Sequence, residues 1–171
     1  LETDKGAWLV YNAEVKGQPV AELIPDIAAK ALAKLPIPKP MRWGDSDVQF
    51  IRPVHTATIL FGEQSIDAEL LGVKTGLELQ GHRFHSKGRV QISHADEYEA
   101  ALEKAFVIAD FEARKTQIKQ QVEAKAAELG GVADLDDDLL DEVTGLVEWP
   151  VLLVASFEEK FLAVPDEALI Y

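Results

Sequence analysis

The groups best suited to chemistry lie in one short stretch, residues 81–89, which reads Gly-His-Arg-Phe-His-Ser-Lys-Gly-Arg. Guanidinium and ammonium groups bind the phosphates of nucleic acid. The two histidines, three residues apart, also raise the question of a metal. However, a catalytic zinc site needs three fixed protein ligands, and the metalloprotease motif carries a Glu on the same helix. The pattern favours a nucleic-acid contact, and the plain alternative is that both imidazoles bond to backbone or solvent.

Two further arginines lie close to aromatic side chains. Arg42 directly precedes a tryptophan, Arg52 follows a phenylalanine by two residues, and Lys39 lies in the proline-rich connector before them. Arginine–aromatic pairs suit stacking and phosphate contact. An ion pair of such an arginine with Asp45 or Asp47 is an equally good interpretation.

The charge distribution indicates where a polyanion would bind. The chain has 171 residues, with 30 acidic and 17 basic side chains and a net charge of −13, which argues against nucleic acid as a general partner. Only residues 34–89 have a basic excess, 8 against 6, whereas residues 90–171 carry 6 basic and 19 acidic side chains. We therefore expect phosphate contacts in the middle third. The candidates are Lys39, Arg42, Arg52, His82, Arg83, Lys87 and Arg89.

Several kinds of site are excluded or weak. The chain has no cysteine, so it has no disulfide, thiolate metal site or cysteine nucleophile, and it fits a reducing, cytoplasmic setting. It also contains no phosphate-binding glycine loop and no serine on a nucleophile elbow. Asp134, Asp136 and Asp138 begin like a calcium loop but lack its glycine and final glutamate, so helix capping explains them better. Glu148, in an apolar run, is a weak candidate for a buried carboxylate with a raised pKa.

The elements that position these groups are of both kinds, in mixed order, so the sequence predicts an α+β fold with a mixed or antiparallel sheet packed against helices. Apolar spacing predicts helices over 19–35, interrupted at Pro25, over 97–104, over about 110–129 with an Asp110–Arg114 pair, over about 134–143, and opening at Pro165. Strands are expected at 6–15, 48–51, 54–61, 66–73, 88–93 and 146–155, and a loop at 75–87. No span approaches the length of a membrane helix, a secretory leader is not expected, and the opening at Leu1 suggests a segment of a longer polypeptide.

Long strings of the sequence resemble one family, the beta subunit of the bacterial two-subunit glycyl-tRNA synthetase. The resemblance runs from about Trp8 to the last residue and covers an early-to-middle part of a much longer subunit. The matching strings are Ile37-Pro38-Lys39, Met41-Arg42-Trp43-Gly44, Phe50 with Arg52-Pro53-Val54-His55, Gly81-His82-Arg83-Phe84, Asp110 with Arg114-Lys115, the run Leu139–Pro150, and Phe161-Leu162-Ala163-Val164-Pro165.

The resemblance implies an enzyme that joins glycine to tRNA-Gly with ATP and Mg, as a complex of alpha and beta subunits. In that family the alpha subunit carries the class II catalytic site and the beta subunit supports tRNA binding. The matched region also resembles the central domain of the phenylalanyl-tRNA synthetase beta subunit, which edits. We expect residues 1–171 to form one α+β domain of a longer beta subunit, with a helical appendage over 96–145.

The resemblance and the motif search together predict a non-catalytic segment that binds no cofactor or metal itself. Arg52 is followed by Pro53 rather than by the acidic residue of a class II ATP-binding motif. The expected partners are the alpha subunit and tRNA-Gly, with no membrane and no DNA. Two alternatives stay open: an editing deacylase with a polar pocket around His82 and Glu148, and a purely structural brace for the alpha subunit.

Overall fold

The structure is a computed structural model that describes residues 2–4, 6–7 and 9–165. The chain divides into two compact units: residues 1–79 with 91–97 form the first, and residues 80–90 with 98–171 form the second. Both helices and strands are present, so the α+β prediction is confirmed, but the strands are short and pair into small two-stranded sheets. Whether the chain is one domain with an appendage stays a prediction.

The first unit begins with two short paired strands and one helix, followed by short strands joined by turns. Helix α1 covers Val20–Ala33 after Pro19, whose carbonyl accepts the Glu22 N–H at 3.0 Å. It runs through Pro25 without restarting, although a proline gives the carbonyl of Ala21 no N–H to accept. The described strands of the whole chain are β1 (Glu2–Thr3), β2 (Gly6–Ala7), β3 (Met41–Arg42), β4 (Gln49–Phe50), β5 (Leu60–Phe61), β6 (Gln64–Ser65), β7 (Glu69–Leu70), β8 (Val73–Lys74), β9 (Glu78–Gln80) and β10 (Arg89–Gln91), of which β9 and β10 include residues of both units.

Tight turns set the register of the short hairpins. The β7–β8 hairpin closes through Leu71 and Gly72, which have φ values of 51° and 76° and so form a turn with both central residues left-handed. Thr75 fixes the strands nearby, because its hydroxyl donates to the carbonyl of Ile66 and accepts the N–H of Ala68, each at 2.8 Å. Ile66 is buried, and it forms the apolar interior of this unit with Leu79 and Ile92.

The second unit is largely helical. Helix α2 covers Tyr98–Lys104, α3 covers Phe111–Glu128, α4 covers Asp137–Leu146, and a 3-10 helix follows at Glu159–Ala163. Helix α3 therefore confirms the long helix predicted near 110–129. Helices α3 and α4 are joined by an ion pair between Lys115 and Asp141 at 2.5 Å, and the hydrogen bond to that carboxylate raises the pKa of Lys115. None of the described helices is long and apolar enough to span a membrane.

Aspartates cap these helices, as the sequence predicts for the acidic cluster. Asp110 accepts the N–H of Ala113 at 2.6 Å, and Asp136 accepts those of Asp138 and Leu139 at 3.0 Å. The predicted Asp110–Arg114 side-chain pair is absent from the described residues. With Asp110 used as a cap, Arg114 donates instead to the backbone carbonyls of Thr144 and Ile108.

Some of the strand and loop predictions are wrong in whole or in part. Residues 146–155 form no strand: helix α4 continues to Leu146, and the described segment after it pairs with no strand. The strand predicted over 6–15 is present only near its start, where β2 covers Gly6–Ala7, whereas residues 9–15 are exposed and form no strand, and Trp8 lies outside the described residues. The stretch 75–87 is not wholly a loop, because β9 lies within it. The helix opening expected at Pro165 lies beyond the described residues.

Glu97 locks the turn that follows β10. One of its carboxylate oxygens, Oε2, accepts the N–H of Ser93 at 2.7 Å, the Ser93 hydroxyl at 3.1 Å and the N–H of His94 at 3.2 Å. The hydrogen bond from the Ser93 backbone is the largest of the effects that lower the pKa of Glu97. The ionised carboxylate therefore stabilises the folded chain.

This lowered pKa predicts an acid-dependent loss of stability. The contribution of Glu97 is fully present above the unfolded-state pKa of an ordinary glutamate and is lost as pH falls through the lower folded-state value. Glu97→Gln should lower the urea midpoint at pH 7, and the difference from wild type should shrink below pH 4.5. The matched control is Glu103→Gln, because no described residue bonds to that carboxylate. A pH-independent difference for Glu97→Gln would contradict this role.

Candidate nucleic-acid interface

The structure divides the seven predicted phosphate-binding residues between the two units. The first unit holds Lys39, Arg42 and Arg52. The second unit holds the other four within the segment 80–90, which we call the cationic loop. Each group is described by itself.

The three candidate residues of the first unit differ in whether their charge already forms an ion pair with a carboxylate. Arg42 lies at the end of β3, and its Nη1 donates to Asp47 Oδ1 at 2.9 Å across the turn that joins β3 to β4. This pair is the alternative that the sequence left open. Lys39, in the connector, and Arg52, after β4, are exposed, and neither forms an ion pair with any described residue. Lys39 and Arg52 are therefore the more available cations here.

His82 organises the cationic loop instead of projecting from it. Its ring nitrogen Nδ1 accepts the backbone N–H groups of Phe84 and His85, both at 3.2 Å, and its carbonyl accepts the N–H of Ser86 at 3.0 Å. Because Nδ1 is an acceptor, the neutral ring carries its proton on Nε2. The ring also stacks on that of His85, with centroids 4.4 Å apart. His82 thus fixes the shape of the turn that carries the neighbouring residues.

The base of the loop lies against the end of helix α2 so closely that only glycine fits. The N–H of His82 donates to the carbonyl of Ala105 at 2.9 Å. A Cβ added at Gly81 would lie 2.7 Å from the Cβ of Ser86 and 2.8 Å from the Cβ of Ala105, and neither atom can move without the backbone. Gly81 is therefore a packing requirement of the loop.

Helix α2 is followed by a residue with an unusual backbone conformation, Phe106, whose φ is 61°. The N–H of Val107 donates to the carbonyl of Leu102 and the N–H of Phe106 to that of Glu103, which is the pattern of a Schellman motif. Helix α3 ends in the same motif with Gly130, at φ 73°, in the equivalent place. A residue other than glycine costs about 1–2 kcal/mol in this conformation.

Ring contacts offset that cost. The ring centroid of Phe106 lies 5.5 Å from that of His85 and 5.4 Å from that of Trp149, the latter in an edge-to-face arrangement. Aromatic pairs of this kind contribute about 0.5–1.5 kcal/mol each beyond burial. Phe106 therefore ends the helix and holds the ring of His85 at the base of the loop.

The outer part of the loop presents exposed cations. Arg83, Lys87 and Arg89 are all exposed, and the segment 80–90 contains no carboxylate. Neither Arg83 nor Lys87 forms an ion pair with any described residue. The Arg83 guanidinium carbon lies 5.7 Å from the ring centroid of Phe84, which is 82% exposed. This surface can bind phosphate oxygens and stack on a planar ring.

The geometry of His82, His85 and Glu148 gives little support for a catalytic site. His82 and His85 are stacked face to face, and no three histidine or carboxylate side chains among the described residues cluster closely enough to hold a metal ion. Glu148 is exposed, although its carbonyl accepts the N–H of Ile108 at 3.0 Å, so the burial that its candidacy required is absent. Sequence analysis assigned no role to Phe84, Phe106 or Trp149, although Phe84 lies in the stretch that it singled out, beside Arg83.

An exposed cationic loop with an aromatic side chain is typical of proteins that bind nucleic acid. Comparison with known proteins identifies the family of the chain. The whole chain, residues 1–171, matches the family model described as the glycyl-tRNA synthetase beta subunit. The chain therefore belongs to the glycyl-tRNA synthetase beta-subunit family, as its sequence strings suggest.

Individual relatives are similar over the whole chain. It is 62% identical to the glycine–tRNA ligase beta subunit of Psychromonas ingrahamii, 60% to that of Shewanella woodyi and 60% to that of Pasteurella multocida. Each alignment covers 100% of this chain and 25% of the relative. The chain thus spans about a quarter of the length of the curated relatives that it matches.

The left-handed residue at the end of α2 generates a prediction about the order of two substitutions. Phe106→Ala removes the ring and keeps the backbone strain, whereas Phe106→Gly removes both. We expect the glycine variant to be more stable by about 1 kcal/mol, as urea unfolding would show. At the exposed helix position Ala124 the order should reverse, with Ala124→Gly losing about 1 kcal/mol. Equal stability of both variants at 106 would contradict the assigned strain.

The close approach at Gly81 predicts opposite effects for two Gly→Ala substitutions. Gly81→Ala should lower the free energy of unfolding by about 1–3 kcal/mol, because the new methyl overlaps Ser86 and Ala105. Gly145→Ala, in helix α4 with open space around it, should raise it by about 0.5–1 kcal/mol. Urea denaturation measures both. A neutral Gly81→Ala would show that the loop is not seated as described.

Proposed function

We propose that this chain is part of the beta subunit of a glycine–tRNA ligase, which joins glycine to tRNA-Gly with ATP, and that its cationic loop contacts the phosphate backbone of the tRNA. The observation that carries the proposal is the exposure of Arg83 and Lys87 in a segment without carboxylates. Cations that have no internal partner break no ion pair when they bind phosphate, whereas a paired cation must first give up its partner.

The other predicted contacts rank by the same criterion. Lys39 and Arg52 are exposed and form no ion pair with any described residue, so they serve as secondary contacts. Arg42 must separate from Asp47 before it can bind phosphate. Arg89 begins β10 at the end of the loop and extends its basic edge. His82 supports the loop through its Nδ1 and contributes chiefly by positioning Arg83 and Phe84.

The wider proposal follows the family. The partners are the alpha subunit, which carries the class II adenylation chemistry with ATP and Mg, and tRNA-Gly, in the cytoplasm, without DNA or membrane. This segment itself supplies no catalytic group or cofactor site. We also propose that its fold is related to the central domain of the phenylalanyl-tRNA synthetase beta subunit. The mixture of small antiparallel sheets and helices is compatible with that relation.

A structural brace is a second candidate, supported by one observation. The segment after helix α4 exposes large apolar side chains: Val151 is 64%, Leu153 86% and Phe157 70% exposed. A continuous apolar run on the surface favours a protein contact. The editing alternative gains no such support, because Glu148 is exposed and bonds through its backbone.

The phosphate proposal predicts a change in salt dependence. In the assembled enzyme, Arg83→Ala and Lys87→Ala should each weaken tRNA-Gly binding and reduce the slope of log Kd against log salt by about 1, because each removes one phosphate contact. Fluorescence anisotropy at several salt concentrations measures the slope. Lys119→Ala is the control, since that exposed lysine lies 3.9 Å from Glu123 on helix α3. Unchanged slopes for both loop variants would overturn the assignment.

A further inference from the structure

We propose that Phe84 is a stacking platform for one unpaired nucleobase of the bound RNA, with Arg83 as its flanking cation. The proposal rests on the proposed function, because it assumes that the cationic loop meets tRNA. It adds a second kind of contact to the same loop. Arg83 and Lys87 bind phosphate, whereas Phe84 binds the flat face of a base.

The exposure of the Phe84 ring would not by itself support this proposal, since single exposed apolar side chains are common on protein surfaces. What distinguishes Phe84 is that hydrogen bonds within the loop fix its backbone while its side chain stays exposed to solvent. Its own N–H and that of His85 both donate to His82 Nδ1, and the Ser86 N–H closes the turn on the His82 carbonyl. The Ser86 hydroxyl also donates to the carbonyl of Gly88 at 2.9 Å.

This network fixes the backbone of Phe84 while its ring stays 82% exposed. A side chain presented on a fixed backbone loses little conformational entropy when a ligand covers it. The aromatic contacts behind the turn, from His85 to Phe106 and from Phe106 to Trp149, support the loop from the protein side. Phe84 is therefore preorganised for a flat ligand that approaches from solvent.

The surrounding charge selects the ligand. Arg83 lies near the Phe84 ring, with its guanidinium carbon 5.7 Å from the ring centroid, and no carboxylate occurs in the segment 80–90. A nucleotide supplies both groups that this pair accepts, a planar base for the ring and a phosphate for the guanidinium. Phe157 is a useful contrast: it is 70% exposed but is followed by Glu158 and Glu159, which would repel a phosphate.

The base must be unpaired. Bases within an A-form helix already stack on their neighbours, and the deep, narrow major groove excludes side chains. A single aromatic side chain at the tip of a turn can stack only where a base is turned outward or lies at the end of a strand. Phe84 therefore stacks on a base in a single-stranded part of the tRNA.

The test compares two substitutions of Phe84 in the assembled enzyme, with transcribed tRNA-Gly as the probe. Phe84→Leu keeps an apolar side chain without a π face, and Phe84→Tyr keeps the ring. We expect Phe84→Leu to weaken binding about tenfold, a typical loss for one stacked base, and Phe84→Tyr to stay within about twofold of wild type. The slope of log Kd against log salt should be unchanged in both, because no phosphate contact is removed. Phe61→Leu, at an exposed phenylalanine of β5, is the matched control and should leave the Kd unchanged.

Chemical probing gives a second readout. Dimethyl sulfate modification of tRNA-Gly bound to wild type and to Phe84→Leu should differ at one unpaired nucleotide.

Equal affinity and equal modification patterns for wild type and Phe84→Leu would overturn the stacking proposal, even where Arg83→Ala still changes the salt slope. Conversely, a loss with Phe84→Leu alone, without any change for Arg83→Ala or Lys87→Ala, would support stacking and overturn the phosphate contacts. Loss of subunit assembly in Phe84→Leu, seen by size-exclusion chromatography, would overturn it in favour of a protein contact.

Discussion

The left-handed turn at Phe106 is the constraint on which the cationic loop depends. It ends helix α2 and places the Ala105 carbonyl where the N–H of His82 can reach it. The same turn aims the Phe106 ring at His85 and Trp149. Glycine would adopt this backbone at no steric cost, as Gly130 does at the end of α3, but it would supply no ring. The stabilisation from the two aromatic contacts together matches or exceeds the backbone strain of about 1–2 kcal/mol. A phenylalanine is therefore tolerated at this position.

Net charge is a poor guide to where this chain would meet an anion. The net charge of the chain is −13, yet many of its carboxylates already cap helices or form ion pairs with neighbouring cations. Asp110 and Asp136 cap helices, Asp47 neutralises Arg42, and Asp141 pairs with Lys115. At physiological salt, charges separated by more than about 8 Å are largely screened. The potential that a phosphate meets at the cationic loop is therefore set mainly by the charges nearest to it.

Local signals in the sequence predicted those features that depend on neighbouring residues. Helix α3 was predictable because Asp110 caps its start, Gly130 ends it, and both effects act within one turn. The apolar run over 146–155 looks like a strand, but a strand needs a partner edge, and no local pattern reveals its absence. The Asp110–Arg114 pair failed because the backbone offered each side chain a better partner. The role of Phe106 needs tertiary contacts, which a single sequence does not display.

The two units carry different candidate phosphate contacts. The contacts described at the base of the cationic loop, from Gly81 and Ala105 to Phe106 and Trp149, join residues of the second unit. Lys39 and Arg52 belong to the first unit and extend from irregular segments that lack such a network. A preorganised loop binds with a smaller entropic cost than cations on irregular segments, so the second unit dominates the binding free energy in this proposal.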